Sequence, residues 1–231
     1  FKEIDIGIKA LKILARLGYE VAYVQHADSG RAQMSKGILE DAQKLAIKNV
    51  NIFSTWVSKD TPLIGIEPSA ILSFRDEYPR LVDRKDVDKA KKLAQNCLII
   101  DEFISKEILK GNITSAQFTK EAKKIKLQGH CHQKSLSAIG HSIRLLDLPE
   151  HYNVEHIPSG CCGMAGSFGY EKEHFELSMN IGEMVLFPAV RNAEVDTIIA
   201  ATGTSCRHQI KDGTQRIALH PVEILYDALL K

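Results

Sequence analysis

Apolar and polar positions in the first 77 residues alternate between a helical period and short apolar runs. Apolar residues at helical spacing predict a helix over Ile4–Leu17 that ends at Gly18, and a second amphipathic helix over about 37–57. Val21–Val24 and Pro62–Ile66 are β-prone runs and are predicted as strands, the second of them buried and followed by a short helix. Strands that alternate with helices indicate a parallel sheet and therefore an α/β fold.

The pattern changes between residues 78 and 123, where charged residues are dense and Gly111–Thr114 indicates a turn. Cys97–Asp101 is apolar enough for a buried strand or helix, and we interpret the region as a helical connector between two lobes. The alternation of strands and helices then resumes. It predicts strands at Lys124–Leu127, Val154–Ile157 and Thr197–Ala201, and helices at Ser135–Leu146, Lys172–Val190 and Pro221–Leu230.

The chain matches itself at an offset of 133 residues, which indicates an internal repeat. The order helix, strand, loop, helix, strand occurs twice, and a repeat of this length indicates duplication of one βα unit. The sequence therefore predicts two pseudo-repeated βα lobes with mainly parallel sheets, residues 1–77 and 124–231, joined by the connector at 78–123. The first strand of the first lobe is expected to precede Phe1. The matched pairs are Tyr19 with Tyr152, Val21 with Val154, Gly30 with Gly163 and Ala32 with Ala165.

Composition narrows the class of protein without naming it. The 231 residues are 44% hydrophobic, enough for a proper core, and their 30 basic and 29 acidic side chains give a net charge of +1. A net charge of +1 gives no electrostatic footprint for nucleic acid, for which a basic face would be expected. No apolar run approaches the ~20 residues that cross a bilayer, so no transmembrane segment is predicted. The chain starts at Phe1 with no leader sequence, and we interpret it as a piece of a longer polypeptide.

The five cysteines divide into one bystander and four candidate ligands. Cys97 lies in an apolar run and is interpreted as a buried, inert residue. The other four lie in three glycine-rich or polar loops, each after a predicted strand and before a predicted helix. Such loops project from the carboxyl edge of a parallel sheet, so the cysteines are expected to converge on one site. They are Cys131, Cys161, Cys162 and Cys206; the first lobe has Asp28, Ser29 and Ala70 in place of the last three.

Metal binding explains four converging thiols better than the other chemistries that cysteines support. A disulfide between Cys161 and Cys162 would be strained, because adjacent Cα atoms lie ~3.8 Å apart. Four thiolates suit an iron–sulfur cluster or tetrahedral zinc, and the glycines at 160, 163, 166 and 169 would let the backbone approach a bulky cluster. No Cys-x-x-Cys knuckle typical of structural zinc is present. A phosphate-binding loop and a Cys–His nucleophile fit less well.

Three histidines flank the cysteines, and their role stays open at the level of sequence. They are interpreted as hydrogen-bond donors to the ligands, as substitute ligands, or as loop histidines that bond to the backbone. They are His130, His132 and His208.

Three segments resemble the cysteine-rich CCG domain. That domain occurs in heterodisulfide reductase, in the iron–sulfur subunits of glycolate oxidase and anaerobic glycerol-3-phosphate dehydrogenase, and in lactate-utilisation proteins. The resemblance is strongest to the C-terminal iron–sulfur part of FAD-linked oxidases of the D-lactate or D-2-hydroxyglutarate dehydrogenase type, and Gly65–Tyr78 fits that group as well. The segments are Gly-His-Cys-His-Gln-Lys at 129–134, Gly-Cys-Cys-Gly-Met-Ala-Gly-Ser-Phe-Gly at 160–169 and Ala-Thr-Gly-Thr-Ser-Cys-Arg-His-Gln at 201–209.

The resemblance implies one cluster site at most. The family carries two motifs of the form Cys…Cys-Cys-Gly…Cys-x-x-Cys; the second matches here except for its last cysteine, which is Gln209, and the first is degenerate. A four-cysteine 4Fe–4S cluster is therefore implied, with zinc or an empty site as alternatives in the isolated fragment. The resemblance makes Cys131, Cys161, Cys162 and Cys206 its ligands, and the surrounding cofactor-binding residues are expected to be Gly160, Gly163, Thr202, Thr204 and Ser205.

The implied function is electron transfer within a larger FAD-linked 2-hydroxyacid oxidoreductase. The resemblance implies FAD elsewhere in the parent chain, flavin and ferredoxin-like domains as partners, a downstream redox acceptor, and a location in the cytoplasm or at the inner face of the membrane. The fragment alone is expected to have no turnover. A zinc-stabilised or metal-free docking module and a thiol-based redox protein acting through Cys161 and Cys162 are the alternatives. The degenerate lobe is hypothesised to hold a pocket lined by Arg31, Glu67 and Arg75.

Overall fold

The structure, a computed structural model, describes residues 3–230 and is an α/β protein with parallel sheets, as the sequence predicts. The strands are β1 Leu63–Gly65, β2 Cys97–Ile99, β3 Lys123–Gln128, β4 Tyr152–His156, β5 Ile198–Ala201 and β6 Ala218–Leu219. The helices are α1 Ile4–Arg16, α2 Arg31–Ser35, α3 Leu39–Phe53, α4 Pro68–Arg75, α5 Tyr78–Leu81, α6 Val87–Ala94, α7 Ile100–Leu109, α8 Cys131–Leu136, α9 Gly140–Leu146, α10 Phe175–Met184, α11 Leu186–Arg191, α12 Thr204–Thr214 and α13 Pro221–Ala228.

The chain divides into two compact units, of which Tyr23–Ile100 is the smaller. Its sheet consists of β1 and β2, paired in parallel with Leu63 opposite Cys97. Aromatic rings fill the core beneath α3, α4 and α5: the rings of Phe74 and Tyr78 lie 4.3 Å apart between centroids. The predicted strand at 62–66 and the helix after it are confirmed, and the apolar run at 97–101 contains the buried strand β2.

The larger unit consists of the described residues of Phe1–Ala22 and Asp101–Lys231. Its four strands are all parallel and lie in the order β4-β3-β5-β6. The chain passes from β3 to β4 on one side, whereas β5 and β6 lie on the other side. The sheet therefore has a topological switch point between β3 and β5, the place where open α/β sheets form their sites at the carboxyl ends of the strands.

Helix α1 ends as its sequence predicts. Gly18 adopts a φ of 89°, and its N–H bonds to the carbonyl oxygen of Ala15 while the N–H of Tyr19 bonds to that of Leu14. This pair of bonds is the Schellman arrangement, and glycine adopts its left-handed backbone at no steric cost. The buried face of α1 packs against α13 in the larger unit.

The predicted strand at Val21–Val24 is wrong. The structure assigns no strand between Tyr19 and Gly30, although the remaining order of helices and strands in the repeat is present. In the larger unit the equivalent strand, β4, pairs with β3 alone. The run at 21–24 crosses the boundary between the two units, and within residues 3–230 no strand pairs with it, so it forms no ladder.

Two predicted helices are each divided in two. The helix at 135–146 becomes α8 and α9, because Ser137 leaves helical geometry and its hydroxyl donates to the carboxylate of Glu102 at 2.6 Å. The helix at 172–190 becomes α10 and α11, with a break at Val185. The restart places Pro188 in the first turn of α11, where a missing N–H costs nothing.

The boundaries of the predicted lobes at 77/78 and 123/124 come from the sequence repeat and stay a prediction. The two compact units are divided at other positions, after Ala22 and after Ile100, and describe packing and not the repeat. Within residues 3–230, every helix is too short or too polar to cross a lipid bilayer.

Candidate metal centre

The four candidate cysteines occupy the carboxyl edge of the four-stranded sheet. Cys131 is the first residue of α8, which follows β3, and Cys206 lies in the first turn of α12, which follows β5. Cys161 and Cys162 belong to the loop after β4. Because β3 and β5 are the strands at the switch point, two of the three loops flank the crevice that the topology creates.

The four thiols form a continuous chain of contacts. The thiol of Cys161 lies next to those of Cys131 and Cys162, and the thiol of Cys162 lies next to that of Cys206. Cys131 is exposed, Cys161 is half-buried, and the other two are buried. The structure therefore brings together all four cysteines that the sequence placed in one site, and one end of their chain is open to solvent.

Hydrogen bonding separates the pKa values of these thiols. The Cys131 and Cys162 thiols donate to the Cys161 sulfur and hold its pKa far below the usual range of a thiol. The same bonds, together with burial, raise the pKa of both Cys131 and Cys162. These shifts favour a thiolate at Cys161 over one at Cys131 or Cys162.

Backbone N–H groups reinforce the charge on Cys161. The N–H of Gly163 donates to its sulfur at 3.3 Å, and the backbone of Ala165 also bonds to it. Positive φ angles at Gly163 (100°), Ala165 (42°) and Gly166 (70°) turn this loop around the sulfur. A side chain at 163 has no room, because its Cβ would lie 2.1 Å from the carbonyl oxygen of Ser178. The loop is a nest for an anionic sulfur.

The remaining residues predicted around the cofactor are neighbours of the cysteines in the same loops. The hydroxyl groups of two of them form hydrogen bonds to other side chains of the protein. Thr202 is buried and donates to Gln133 at 3.1 Å, and Thr204 donates to Glu3 at 2.8 Å. Ser205 is half-buried on the first turn of α12. A Cβ at Gly160 would meet nothing within 4 Å, so this glycine is not required by crowding. Their role toward a cofactor stays a prediction.

The three histidines occupy different environments. His130 is buried and caps α8, with its Nδ1 accepting from the N–H of His132 at 3.2 Å. His208 is half-buried, and its Nδ1 lies 2.8 Å from the hydroxyl of Tyr170. Among residues 3–230, the group of three metal-ligating atoms that all lie within 4.8 Å of one another belongs to His130, Cys131 and His132.

The residues that tie the three loops together belong to no motif that is visible in the sequence. The ammonium of Lys134 donates to the carbonyl oxygens of Ser159 at 2.6 Å and Gly160 at 2.9 Å, directly before Cys161. Its neighbour Gln133 accepts from Thr202 in the loop after β5. Two adjacent residues of α8 therefore reach the other two cysteine loops. The sequence signals only that a helix starts near Cys131. The groups to which Lys134 and Gln133 bond lie 25 and 69 residues away in the chain, so no local pattern reveals them.

An ion pair between Arg207 and Glu3, which the sequence did not indicate, also holds the loop that carries Cys206. The guanidinium of Arg207, next to Cys206, donates to the carbonyl oxygens of Ala201 and Thr202, both at 2.8 Å. It also forms an ion pair with Glu3. The loop that carries Cys206 is thereby fixed to the sheet and to the start of α1.

Gln209 takes the position where the related motif has its last cysteine. Its side chain is buried and donates to the carbonyl oxygen and the hydroxyl of Ser178, both at 3.0 Å. A Cβ on Gly163 would approach its Nε2 to 2.9 Å, so the amide packs behind the Cys-Cys-Gly loop. Here it serves as a structural hydrogen-bond donor.

The fifth cysteine and the polar residues of the degenerate lobe are engaged within the smaller unit. Cys97 is completely buried, and burial raises its pKa to about 12, as expected for an inert thiol. Arg31 pairs with Glu77 at 2.5 Å, and Arg75 donates to the carbonyl oxygen of Cys97 at 2.6 Å. Glu67 caps α4. The hypothesised pocket lining therefore stays a prediction, with each of its three side chains bonded to the protein itself.

The fold and the site define an α/β domain that gathers four cysteines from three loops at the switch point of a parallel sheet. No model of a known protein family matches the chain. Individual proteins do match. The chain is 26% identical over 230 residues to D-2-hydroxyglutarate dehydrogenase of Pantoea ananatis, and 24% identical over 220 residues to the same enzyme of Escherichia coli strain K12. It is 25% identical over 227 residues to one of the subunits of anaerobic glycerol-3-phosphate dehydrogenase of Escherichia coli strain K12.

These matches cover nearly the whole chain but only part of each relative. They include 99%, 95% and 97% of this chain, and 21%, 20% and 55% of the three relatives, respectively. The chain thus spans about a fifth of the length of the D-2-hydroxyglutarate dehydrogenases and about half of the glycerol-3-phosphate dehydrogenase subunit. The resemblance predicted from the cysteine segments, to oxidases of the D-2-hydroxyglutarate dehydrogenase type and to this subunit, is confirmed.

Proposed function

We propose that the chain is an electron-transfer domain that holds one iron–sulfur cluster within a larger FAD-linked 2-hydroxyacid oxidoreductase. The similarity to dehydrogenases and to a dehydrogenase subunit supports the redox role. The observation that carries the proposal is the contact chain of Cys131, Cys161, Cys162 and Cys206 at the carboxyl edge of the sheet.

The loops that carry the thiols favour a cluster over a four-thiolate zinc site. The four cysteines include no Cys-x-x-Cys knuckle of the kind typical of structural zinc. The backbone of Gly163 and Ala165 already bonds to the Cys161 sulfur, and hydrogen bonds to sulfur are one of the means by which proteins tune an iron–sulfur cluster.

The residues around the thiols suit an anionic centre. Cys131, Cys161, Cys162 and Cys206 would hold the iron, while the Gly163 and Ala165 backbone would donate toward the cluster as it now does toward Cys161. When bound, an iron–sulfur cluster accepts and releases single electrons. Exposed Cys131 marks the edge of the centre that solvent reaches, and this edge is where a donor or acceptor domain would come closest.

Anaerobic reconstitution tests the proposal. Purified protein is incubated with iron and sulfide, desalted, and analysed for both elements and by EPR after reduction. We expect one cluster per chain in the wild type and in Cys97→Ser, and loss of most bound iron in Cys131→Ser, Cys162→Ser and Cys206→Ser. Wild-type protein that takes up no iron, or Cys206→Ser protein that binds as much as the wild type, would refute the assignment.

A zinc-stabilised docking module is the second candidate, and the grouping of His130, Cys131 and His132 within 4.8 Å favours it. Two imidazoles and a thiolate are ligands that zinc accepts. Under this alternative, anaerobically isolated protein contains one zinc and no visible chromophore. His132→Gln would then lose the metal, whereas Cys206→Ser would keep it.

A further inference from the structure

A row of four completely buried polar side chains runs from the cysteine site into the interior of the larger unit, to which the site itself belongs. Thr202 follows β5, Gln133 lies in α8, Ser142 in α9 and Asp101 in α7, and none of them is exposed to solvent. Polar groups at this depth are costly unless each is hydrogen-bonded, so a continuous row is a built feature of the fold.

The hydrogen bonds of this row all point in one direction. The Thr202 hydroxyl donates to the Gln133 carbonyl oxygen at 3.1 Å, and the Gln133 amide donates to the Ser142 hydroxyl at 2.7 Å. Ser142 in turn donates to Oδ2 of Asp101. Because a carboxylate only accepts hydrogen bonds, Asp101 sets the orientation of every donor behind it.

We propose that Asp101 is a positioning residue for the cysteine site and acts through Ser142, Gln133 and Thr202. This proposal rests on the proposed function, since it concerns the loops that would hold the cluster. Gln133 is two residues from Cys131, and Thr202 is four residues before Cys206. The row therefore sets the distance between the loops after β3 and β5, which carry the two ends of the thiol chain.

The hydrogen bond from Ser142 is the main side-chain contact that holds the Asp101 carboxylate. Oδ1 is buried and has no hydrogen-bond partner among residues 3–230. Of the nearby charged groups, Glu102 is adjacent on α7 and bonds to Ser137, whereas His141 and Arg144 of α9 bond to Ser105, one turn further along α7. These contacts form a parallel set that does not include the cysteine loops, and this set supplies a matched control.

Thiol mapping of the metal-free protein tests the proposal independently of whether a cluster forms. The full 231-residue chain is alkylated under anaerobic, reducing conditions, and the rate at each cysteine is read by mass spectrometry. In Ser142→Ala, Gln133→Leu and Asp101→Leu we expect Cys206 to react about tenfold faster than in the wild type, the factor for losing one buried hydrogen bond. Cys97, in the smaller unit, should keep its wild-type rate.

Conservative and control variants separate positioning from general stability. Asp101→Asn keeps an oxygen that accepts from Ser142 and is expected to restore the Cys206 rate to within about threefold of the wild type. Ser105→Ala removes an equally buried serine from the parallel set and should leave the ratio of the Cys206 rate to the Cys97 rate unchanged. The proposal is overturned if Cys206 and Cys97 accelerate together, if Cys206 stays within about twofold of the wild type in Gln133→Leu, or if Ser105→Ala accelerates Cys206 selectively. Failure of the wild type to bind iron would refute the cluster while leaving these rates interpretable.

Discussion

The ammonium group of Lys134 lies 2.6 Å from the carbonyl oxygen of Ser159, to which it donates a hydrogen bond that joins the loop after β3 to the loop after β4. A second bond to the next carbonyl, at 2.9 Å, completes this brace. Hydrogen bonds from charged donors are stronger than neutral ones. The brace therefore fixes the entry to the Cys-Cys-Gly loop.

Removing this ammonium should loosen the loop. For Lys134→Met we expect the free energy of unfolding to fall by about 1–2 kcal/mol, measured by urea titration, because two carbonyl groups lose their donor. Lys126→Met is the matched control, since Lys126 pairs with the exposed Glu155 at 3.0 Å, and it should stay within about 0.5 kcal/mol of the wild type. Equal losses in the two variants would contradict a bracing role.

Alanine at position 163 should be far more damaging than alanine at position 160. At Gly163 the φ of 100° and a Cβ placed 2.1 Å from the Ser178 carbonyl oxygen both oppose a side chain, so Gly163→Ala should cost about 3 kcal/mol or more. At Gly160 a Cβ has open space, and Gly160→Ala should change stability by less than about 0.5 kcal/mol. Urea unfolding of both variants measures the difference, and similar values would show that the loop is not held as described.

Asp101 should make the stability of the protein depend on pH. Burial raises its pKa from 3.8 to about 6, the hydrogen bond from Ser142 opposes this shift, and Glu102 adds to it. The folded protein therefore holds this proton more tightly than the unfolded chain. The resulting stabilisation is complete below about pH 4 and is lost as the pH rises through about 6.

The size of this effect is testable with one substitution. A rise of about two pKa units corresponds to on the order of 3 kcal/mol between pH 4 and pH 7. Other groups titrate as well, so the measured quantity is the difference between the wild type and Asp101→Asn in urea unfolding across that range. We expect the wild type to lose stability relative to the variant as the pH rises, and a difference that is independent of pH would refute the shift.

The ion pair between Arg207 and Glu3 should contribute more than a surface pair does. Arg207 keeps only 9% of its side chain exposed, so Glu3→Gln leaves a buried cation without its counter-charge and should cost about 1–2 kcal/mol. Glu183→Gln is the matched control, because Glu183 and Arg191 are both nearly half exposed, and it should cost less than about 0.5 kcal/mol. Chemical denaturation in urea, which leaves the ionic strength unchanged, measures both.

Local patterns predicted most strands and helices, but not where tertiary contacts interrupt them. The helix over Ile4–Leu17 and its end at Gly18 follow from apolar spacing and one glycine, which are local properties. The division of the helix at 135–146 depends on a bond between Ser137 and Glu102, residues 35 apart in sequence. Likewise, the run at 21–24 has strand propensity without a neighbouring strand, and propensity alone does not make a ladder.

The convergence of the four candidate cysteines was predictable from the sequence, whereas the residues that support their loops were not. Parallel topology requires loops after successive strands to share one edge, so Cys131 and Cys206 could be placed together from sequence. Gln133 and Lys134 have no such signal, because a glutamine and a lysine on a short helix are ordinary surface residues until their partners are known. Their importance depends on the distances between the three cysteine loops in the folded protein, and tertiary packing sets those distances.

Helix α8 has only six residues, yet its successive positions face different loops. Each residue of an α-helix is rotated by about 100° from the one before. An insertion of one residue between Cys131 and Gln133 would therefore turn the side chains of Gln133 and Lys134 away from their partners relative to Cys131. All four cysteines would still be present in such a protein, but their loops would no longer be held in register. The presence of four cysteines is therefore an insufficient signature of this centre: the two positions that follow His132 carry as much of the geometric information as the thiols themselves.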